Sequence, residues 1–225
     1  MSVVTRLVLV SGLWLASIGG YSLAASPDSE PSQSAHEVVR VATQRVMVIV
    51  EEAPGYVDTD PNRYYQAVHE ILDPIIDFRG FARSVMGPYA TGDRYRSLDN
   101  AGREELREQL EKFTEVMRIG LVATYSKGLL AFAGSRIEVS APAAEDAGQS
   151  RVAVRQLIYS EEPQPYILMY QMGLSKARQW KLRNVIIENV NLGEIYKNQF
   201  QAAAREHDGN LDVVIENWAG VEVEG

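Results

Sequence analysis

The sequence predicts an α+β fold, in which a curled antiparallel sheet of about four strands packs against several helices. Apolar residues recur at helical spacing through most of residues 36–128. From residue 136 to residue 190 the period shortens to two, in β-rich runs that are separated by short polar, proline- or glycine-bearing connections. Because connections this short favour antiparallel pairing, helices followed by such a meander indicate an α+β domain.

The N-terminal segment, residues 1–24, is expected to be a cleaved export signal that takes no part in the fold. Arg6 provides its positive charge, residues 7–18 form an apolar run, and Ser-Leu-Ala at 22–24 has the small-x-small pattern of a cleavage site. The run is too short for a membrane-spanning helix, which needs about 20 apolar residues. Residues 25–34, rich in proline, serine and acidic residues, are then expected to be a flexible leader.

One domain is expected to follow over residues 35–220, with a short tail at 221–225. The chain has 225 residues and is 46% hydrophobic, which is enough for one sizeable core. The sequence leaves open whether residues 60–105 form a small helical subdomain within it.

Proline and acidic residues mark the first two helices. The first is expected over residues 36–51, because its apolar residues have helical spacing and Pro54 follows. Asp60 and then Pro61 form an N-cap followed by proline at the first helical position. They predict a second helix, which Pro74 stops.

Two more helices complete the first half of the domain. Asp77 is expected to cap a short helix that Gly87 closes. After a polar turn around residues 94–100, the longest apolar stripe of the chain runs over residues 106–128. These stripes indicate helices that pack against other elements.

Four strands are expected in the second half, over residues 136–140, 151–159, 166–172 and 180–190. Simple alternation in the last strand puts Trp180 and Leu182 on one face and Val185 and Ile187 on the other. Leu192 then begins a helical stripe that Gly209 stops, and Asn210 is expected to cap a last short helix.

Charge and composition exclude several classes of function. The sequence carries 22 basic and 30 acidic residues; without the export signal, which contains Arg6 and no acidic residue, the balance is 21 to 30 and the net charge −9. An acidic chain of this kind is not expected to bind nucleic acid, whose backbone requires a basic surface. There are no cysteines, so thiol catalysis and zinc–thiolate sites are excluded.

No catalytic or metal-binding motif stands out. His36, His69 and His207 are isolated in sequence and form no H-E-x-x-H pair. The G-x-S-x-G pattern of an acyl hydrolase does not occur. We therefore expect no catalytic residues, no metal and no cofactor.

Four segments follow one another along the chain: RSVMGPYA at 83–90, TYSKGLL at 124–130, WKLRNVIIENVNLGEIYKNQF at 180–200 and GNLDVVIENWAG at 209–220. In this order they resemble the MlaC family of periplasmic phospholipid-binding proteins, also called toluene-tolerance auxiliary components. The resemblance covers roughly residues 35–220. No single segment is diagnostic of the family. The resemblance depends on many weakly specific positions that occur in the same order.

The resemblance implies a soluble, non-enzymatic carrier with bound phospholipid as its cargo. Such a carrier shuttles lipid across the periplasm between an outer-membrane lipoprotein complex and an inner-membrane ABC transporter complex, and so maintains outer-membrane lipid asymmetry. It also implies an apolar cavity between the curled sheet and the helices. A shuttle has no evident need to self-associate, so a monomer is expected.

Eleven residues are candidates for the wall of that cavity, because they lie on apolar stripes of the expected helices and strands. They are Val85, Met86, Phe113, Met117, Leu121 and Tyr125 from the helices, and Leu157, Ile167, Met169, Val185 and Ile187 from the strands. The same stripes are also typical of a plain core. Arg79 and Arg83 are candidates for contact with a lipid phosphate, or else for a solvated helix face or an ion pair with Asp77.

Two other classes of function remain open from the residues alone. An enzyme could use the cavity as its active site, in which case a buried acid with a shifted pKa is expected inside it. A periplasmic chaperone or adaptor would instead expose an apolar patch for partner proteins.

Overall fold

The computed structural model describes residues 31, 33–161 and 163–218. The predicted export signal, the leader up to residue 30 and the predicted tail lie outside these residues.

Helices and strands follow the predicted order. The helices are α1 Ala35–Glu52, α2 Pro61–Leu72, α3 Phe78–Met86, α4 Gly92–Ser97, α5 Asn100–Leu129, α6 Leu192–Glu206 and α7 Leu211–Glu216. The strands are β1 Arg136–Val139, β2 Arg151–Tyr159, β3 Tyr166–Leu174, β4 Trp180–Ile187 and β5 Val190–Asn191.

Side-chain caps fix where several helices begin. The carboxylate of Asp60 accepts a hydrogen bond from the Arg63 backbone N–H, and that of Asp77 accepts from Gly80. Asn210 caps α7 in the same way. Each cap satisfies a backbone N–H that has no partner inside the helix. The three predicted N-caps are confirmed.

The structure differs from the sequence prediction in two elements. Part of the expected polar turn is the short helix α4, which begins because the Thr91 hydroxyl accepts from the backbone N–H of Arg94 at 3.1 Å. The expected strand over residues 180–190 is two strands, because Glu188 takes a left-handed conformation with φ of 54°. The turn at Glu188 folds β5 back onto β4.

The strands form one antiparallel sheet in the order β1-β2-β3-β4-β5, so the predicted α+β class is confirmed. A β-bulge interrupts the pairing of β3 with β4: Met172 lies opposite Leu182, and Gln171 lies opposite Asn184. Arg183 is the extra residue of β4 between them. A bulge of this kind bends the strand and increases its twist.

The bulge changes which residues of β4 face the helices. Before it, Trp180 and Leu182 face inward, and after it Val185 and Ile187 do. All four therefore lie on the same side of the sheet. The expectation that simple alternation separates them into two faces is corrected, because the extra residue shifts the period by one.

Three buried apolar clusters hold the layers together. Helices α3, α5, α6 and α7 form the largest, in which the rings of Phe113 and Phe200 lie 4.8 Å apart. The start of α1 packs on one end of the sheet, where Val154 and Met172 are buried. The end of α1 packs against α2 around Val50. Between these clusters a cavity separates part of the sheet from the helices.

Candidate functional site

A cavity of about 370 Å³ lies between the inner face of the sheet and helices α1 and α5. This volume falls within the range of small-molecule binding pockets, roughly 300–1,000 Å³. Lining residues from the helices and the turn after α5 include Val39, Ala42, Thr43, Val46, Met47, Phe81, Leu121, Val122, Tyr125, Ser126, Leu129 and Phe132. Lining residues from the sheet include Ile137, Gln156, Ile158, Tyr166, Leu168, Tyr170, Met172, Leu182, Val185 and Ile187.

Several apolar side chains inside the protein keep accessible surface because they face this cavity. Leu121, Leu168, Val185 and Ile187 are only partly buried although they point between the two layers. In a solid core such side chains would bury nearly all of their surface. The fold therefore leaves apolar surface free to contact a guest molecule.

A short chain of polar side chains crosses this apolar wall. The Thr43 hydroxyl donates to Oε1 of Gln156 at 2.7 Å, and Nε2 of Gln156 donates to the Tyr170 hydroxyl at 3.1 Å. Burial raises the pKa of Tyr170, so its hydroxyl stays protonated at neutral pH. We call Thr43, Gln156 and Tyr170 the polar ladder.

Two further tyrosines meet at the helical side of the cavity. The hydroxyl oxygens of Tyr125 and Tyr196 are 3.4 Å apart, and only Tyr125 of the two lines the cavity. Burial raises the pKa of both phenols. These groups are hydrogen-bond donors at neutral pH and not bases.

An ion pair closes one edge of the cavity. Arg183, the bulged residue of β4, pairs with Asp77, the cap of α3. The backbone reinforces this contact, because Asp77 donates its N–H to the Leu182 carbonyl at 3.0 Å and Leu182 donates to Ile75 at 2.8 Å. The bulge thus places the guanidinium of Arg183 at the edge of the cavity, where the carboxylate of Asp77 neutralises its charge.

The structure places four of the eleven predicted wall residues in the cavity lining: Leu121, Tyr125, Val185 and Ile187. Their contact with lipid stays a prediction. Val85, Met86, Phe113 and Met117 lie instead in the helical cluster, almost completely buried. The expected place of these four is corrected, because α3 and α5 pack against each other there and α6 and α7 cover the contact.

Leu157, Ile167 and Met169 lie on the opposite face of the sheet, so the predicted faces of β2 and β3 are corrected. Leu157 pairs with Ile167 across the two strands, away from the cavity. Both strands carry apolar residues at odd and even positions, and a shift of one residue exchanges the faces. Their neighbours Leu168 and Tyr170 line the cavity instead.

The cavity residues of α1 and the polar ladder were missed by the sequence prediction. Val39, Ala42 and Val46 have helical spacing, and that spacing gave no sign that they face a cavity. Thr43 and Gln156 are 113 positions apart, so only the folded chain brings them together.

The two predicted headgroup residues lie outside the cavity lining. Arg79 forms an ion pair with Glu111 on the surface. The Arg83 side chain donates through Nε to the Ala90 carbonyl oxygen at 3.2 Å. Neither pairs with Asp77, whose partner is Arg183.

Within the described residues, no three His, Asp or Glu side chains are placed to hold a metal ion together. No helix in the same part of the chain has both the length and the apolarity needed to cross a membrane.

Known proteins are similar to this chain in sequence and in fold. The family model of the MlaC protein matches residues 40–220. The chain belongs to the MlaC family. Toluene tolerance protein Ttg2D of Pseudomonas putida is 26% identical over 189 residues, which is 84% of this chain and 81% of that protein.

A solved structure shares the fold of this MlaC-family chain. It is the phospholipid-binding protein of Ralstonia solanacearum, determined in complex with a phospholipid. The TM-score is 0.65 at 21% identity, over 82% of this chain and 96% of the other. The two chains thus share the arrangement of a helical layer against an antiparallel sheet.

Proposed function

We propose that this protein is a carrier that encloses the acyl chains of a phospholipid. It would shuttle lipid across the periplasm between an outer-membrane lipoprotein complex and an inner-membrane ABC transporter complex, and so maintain outer-membrane lipid asymmetry. The observation that carries the proposal is the apolar cavity between sheet and helices. Membership of the MlaC family and the phospholipid in the related Ralstonia protein support it.

The energetics of a lipid in water require such a cavity. A two-chain phospholipid has on the order of 30 methylene groups, and each contributes about 0.8 kcal/mol when it leaves water. Exposing the chains during transfer would thus cost roughly 24 kcal/mol. Half-buried apolar side chains such as Leu168 and Ile187 provide an apolar surface that the acyl chains can contact in place of the membrane interior.

The chemistry of the cavity supports a carrier more than an enzyme. Among its described lining residues there is no carboxylate and no imidazole, and its charged group, Arg183, is paired with Asp77. A hydrolase acting inside the cavity would require a general base or an activated nucleophile. Tyr125 and Tyr170, which line it, keep their protons, because burial raises the pKa of both phenols.

Purification without detergent tests the proposal. We expect the protein from the periplasmic fraction to carry phospholipid in near-stoichiometric amount, measured by native mass spectrometry and by solvent extraction of the same sample. Delipidated protein should take up lipid again from vesicles of phosphatidylglycerol and phosphatidylethanolamine. Protein that is isolated without lipid and takes none from vesicles would contradict the carrier function.

A further inference from the structure

The polar ladder is unusual because it crosses a wall that is otherwise apolar. Gln156 is only 3% exposed, and its amide lies between the Thr43 hydroxyl on α1 and the Tyr170 hydroxyl on β3. Burying polar groups costs free energy unless they are hydrogen-bonded. Each donor hydrogen of the ladder is therefore expected to have an acceptor.

The ladder has more hydrogen-bond donors than the described residues satisfy. The Thr43 and Tyr170 hydroxyls and the Gln156 amide carry four donor hydrogens, and they form two hydrogen bonds among themselves. No other described residue accepts a hydrogen bond from them. Two donor hydrogens are left over.

The distances indicate which hydroxyl hydrogen is left over. The 2.7 Å contact at Thr43 is typical of an O–H donor, and the 3.1 Å contact at Tyr170 is typical of an N–H donor. Thr43 thus donates to the carbonyl oxygen of Gln156, whose N–H donates to Tyr170. The hydrogen of Tyr170 remains free, and Tyr170 lines the cavity.

A second donor in the wall of the cavity has no partner either. The Ser126 hydroxyl on α5 is buried, with 1% of the residue exposed, and forms no hydrogen bond with any described residue. Two hydroxyl groups of an otherwise apolar lining thus keep a hydrogen without a partner among the described residues. A guest that can use such a hydrogen is a hydrocarbon that carries an acceptor oxygen.

We propose that the Tyr170 hydroxyl, positioned by Gln156 and Thr43, donates a hydrogen bond to the carbonyl oxygen of an acyl ester in the cargo. This inference rests on the carrier function and adds to it a preference for ester-linked over ether-linked cargo. An ester carbonyl is a strong acceptor with no hydrogen of its own. A hydroxylated chain would bring another donor into the cavity.

A free fatty acid fits the ladder less well than an ester. Its carboxylate would have to be buried beside neutral groups, which is unfavourable without a cation. The cation of the cavity lining, Arg183, already pairs with Asp77.

A competition between ester-linked and ether-linked lipids tests the assignment. Delipidated protein is offered equal amounts of dipalmitoyl phosphatidylglycerol and its di-O-hexadecyl analogue, which lacks both carbonyl oxygens. Native mass spectrometry measures the ratio of the two complexes. We expect the ester lipid to be preferred about three- to tenfold, as for one neutral hydrogen bond.

Two variants and a matched control assign the preference to the ladder. Tyr170→Phe removes the hydroxyl and keeps the ring, so the ratio should fall close to one. Thr43→Val removes the donor that holds the Gln156 amide in place, so the amide can turn over and its carbonyl oxygen can accept the Tyr170 hydrogen. The ratio should therefore also fall. Tyr196→Phe removes a buried hydroxyl that lies outside the cavity lining, and it should keep the preference.

The outcomes separate this inference from the carrier function. Binding of neither lipid by the wild type would overturn both. Equal binding of the two lipids would overturn the ester contact and leave the carrier intact, and a water molecule held by the ladder would give this result. A preference that survives in Tyr170→Phe, or that is also lost in Tyr196→Phe, would overturn the role of Tyr170.

Discussion

Two neighbouring residues of β3 have their side chains on opposite faces of the sheet, one toward the cavity and one toward the outer surface. Leu168 lines the cavity, whereas Met169 lies on the outer face, opposite Ile186 of β4. Both are partly buried and apolar. Their burial alone does not distinguish them, but the direction of the side chain does.

We expect Leu168→Asp to reduce the lipid bound after purification by about tenfold or more. A carboxylate in the cavity would have to lose its water when acyl chains enter, and that loss costs several kcal/mol. Native mass spectrometry of protein purified without detergent measures the occupancy.

Met169→Asp is the matched control, with the same new charge one residue away. Its carboxylate would lie on the outer face and leave the occupancy close to that of the wild type. Equal loss in the two variants, with both folded by circular dichroism, would contradict the cavity as the lipid site.

At the scale of elements, a side-chain network joins β4 to α6. The Asn184 carbonyl oxygen accepts from the Gly193 N–H at 2.9 Å, and its amide donates to the Asn191 side chain at 2.8 Å. Asn191 in turn accepts from the Glu194 N–H and caps α6. One residue of the strand thus fixes how the helix begins.

We expect Asn184→Ala to lower the free energy of unfolding by about 1–2 kcal/mol, because it removes an acceptor from a partly buried backbone N–H and a partner from the cap. Urea denaturation followed by circular dichroism measures the change. Gln171→Ala is the control: Gln171 accepts from the same Asn184 amide at 3.2 Å, but it is exposed. If both variants lost the same stability, the link to α6 would not be the cause.

The sequence predicted the helices better than the faces of the strands, for a local reason. Asp60, Asp77 and Asn210 satisfy backbone groups within three residues, so a short segment contains all the information about the cap. The direction of Met169 depends instead on register, and the bulge at Arg183 arises from the pairing of two whole strands. Alternation along one strand does not contain that information.

At the scale of the whole molecule, the cavity follows from the way in which separate clusters divide the packing. The helical cluster around Phe113 and Phe200 is solid, and so is the contact of α1 with Val154. The cavity lies between these two contacts. Leu121 from the helices and Val185 from the sheet line it, and both side chains are only partly buried. Stability and binding capacity are thus located in different parts of one fold.

This division predicts that bound lipid stabilises the protein without being needed for folding. A ligand that binds only the folded state adds about 2.7 kcal/mol when its concentration is a hundred times the dissociation constant. For a domain of this size, each kcal/mol raises the melting temperature by roughly 2–4 °C. We expect delipidated protein to remain folded and to melt about 5–10 °C lower than the loaded form in differential scanning calorimetry.

Adding phosphatidylglycerol back should restore the melting temperature of the wild type and of Met169→Asp, because both keep the apolar cavity. Leu168→Asp should show no such rise, because the new carboxylate prevents the lipid from binding and a lipid that does not bind cannot stabilise the fold. Loaded and delipidated wild type that melt together would mean that the lipid does not occupy the space between the layers. Unfolding on delipidation would mean that the helical cluster and the α1–sheet contact do not support the fold by themselves.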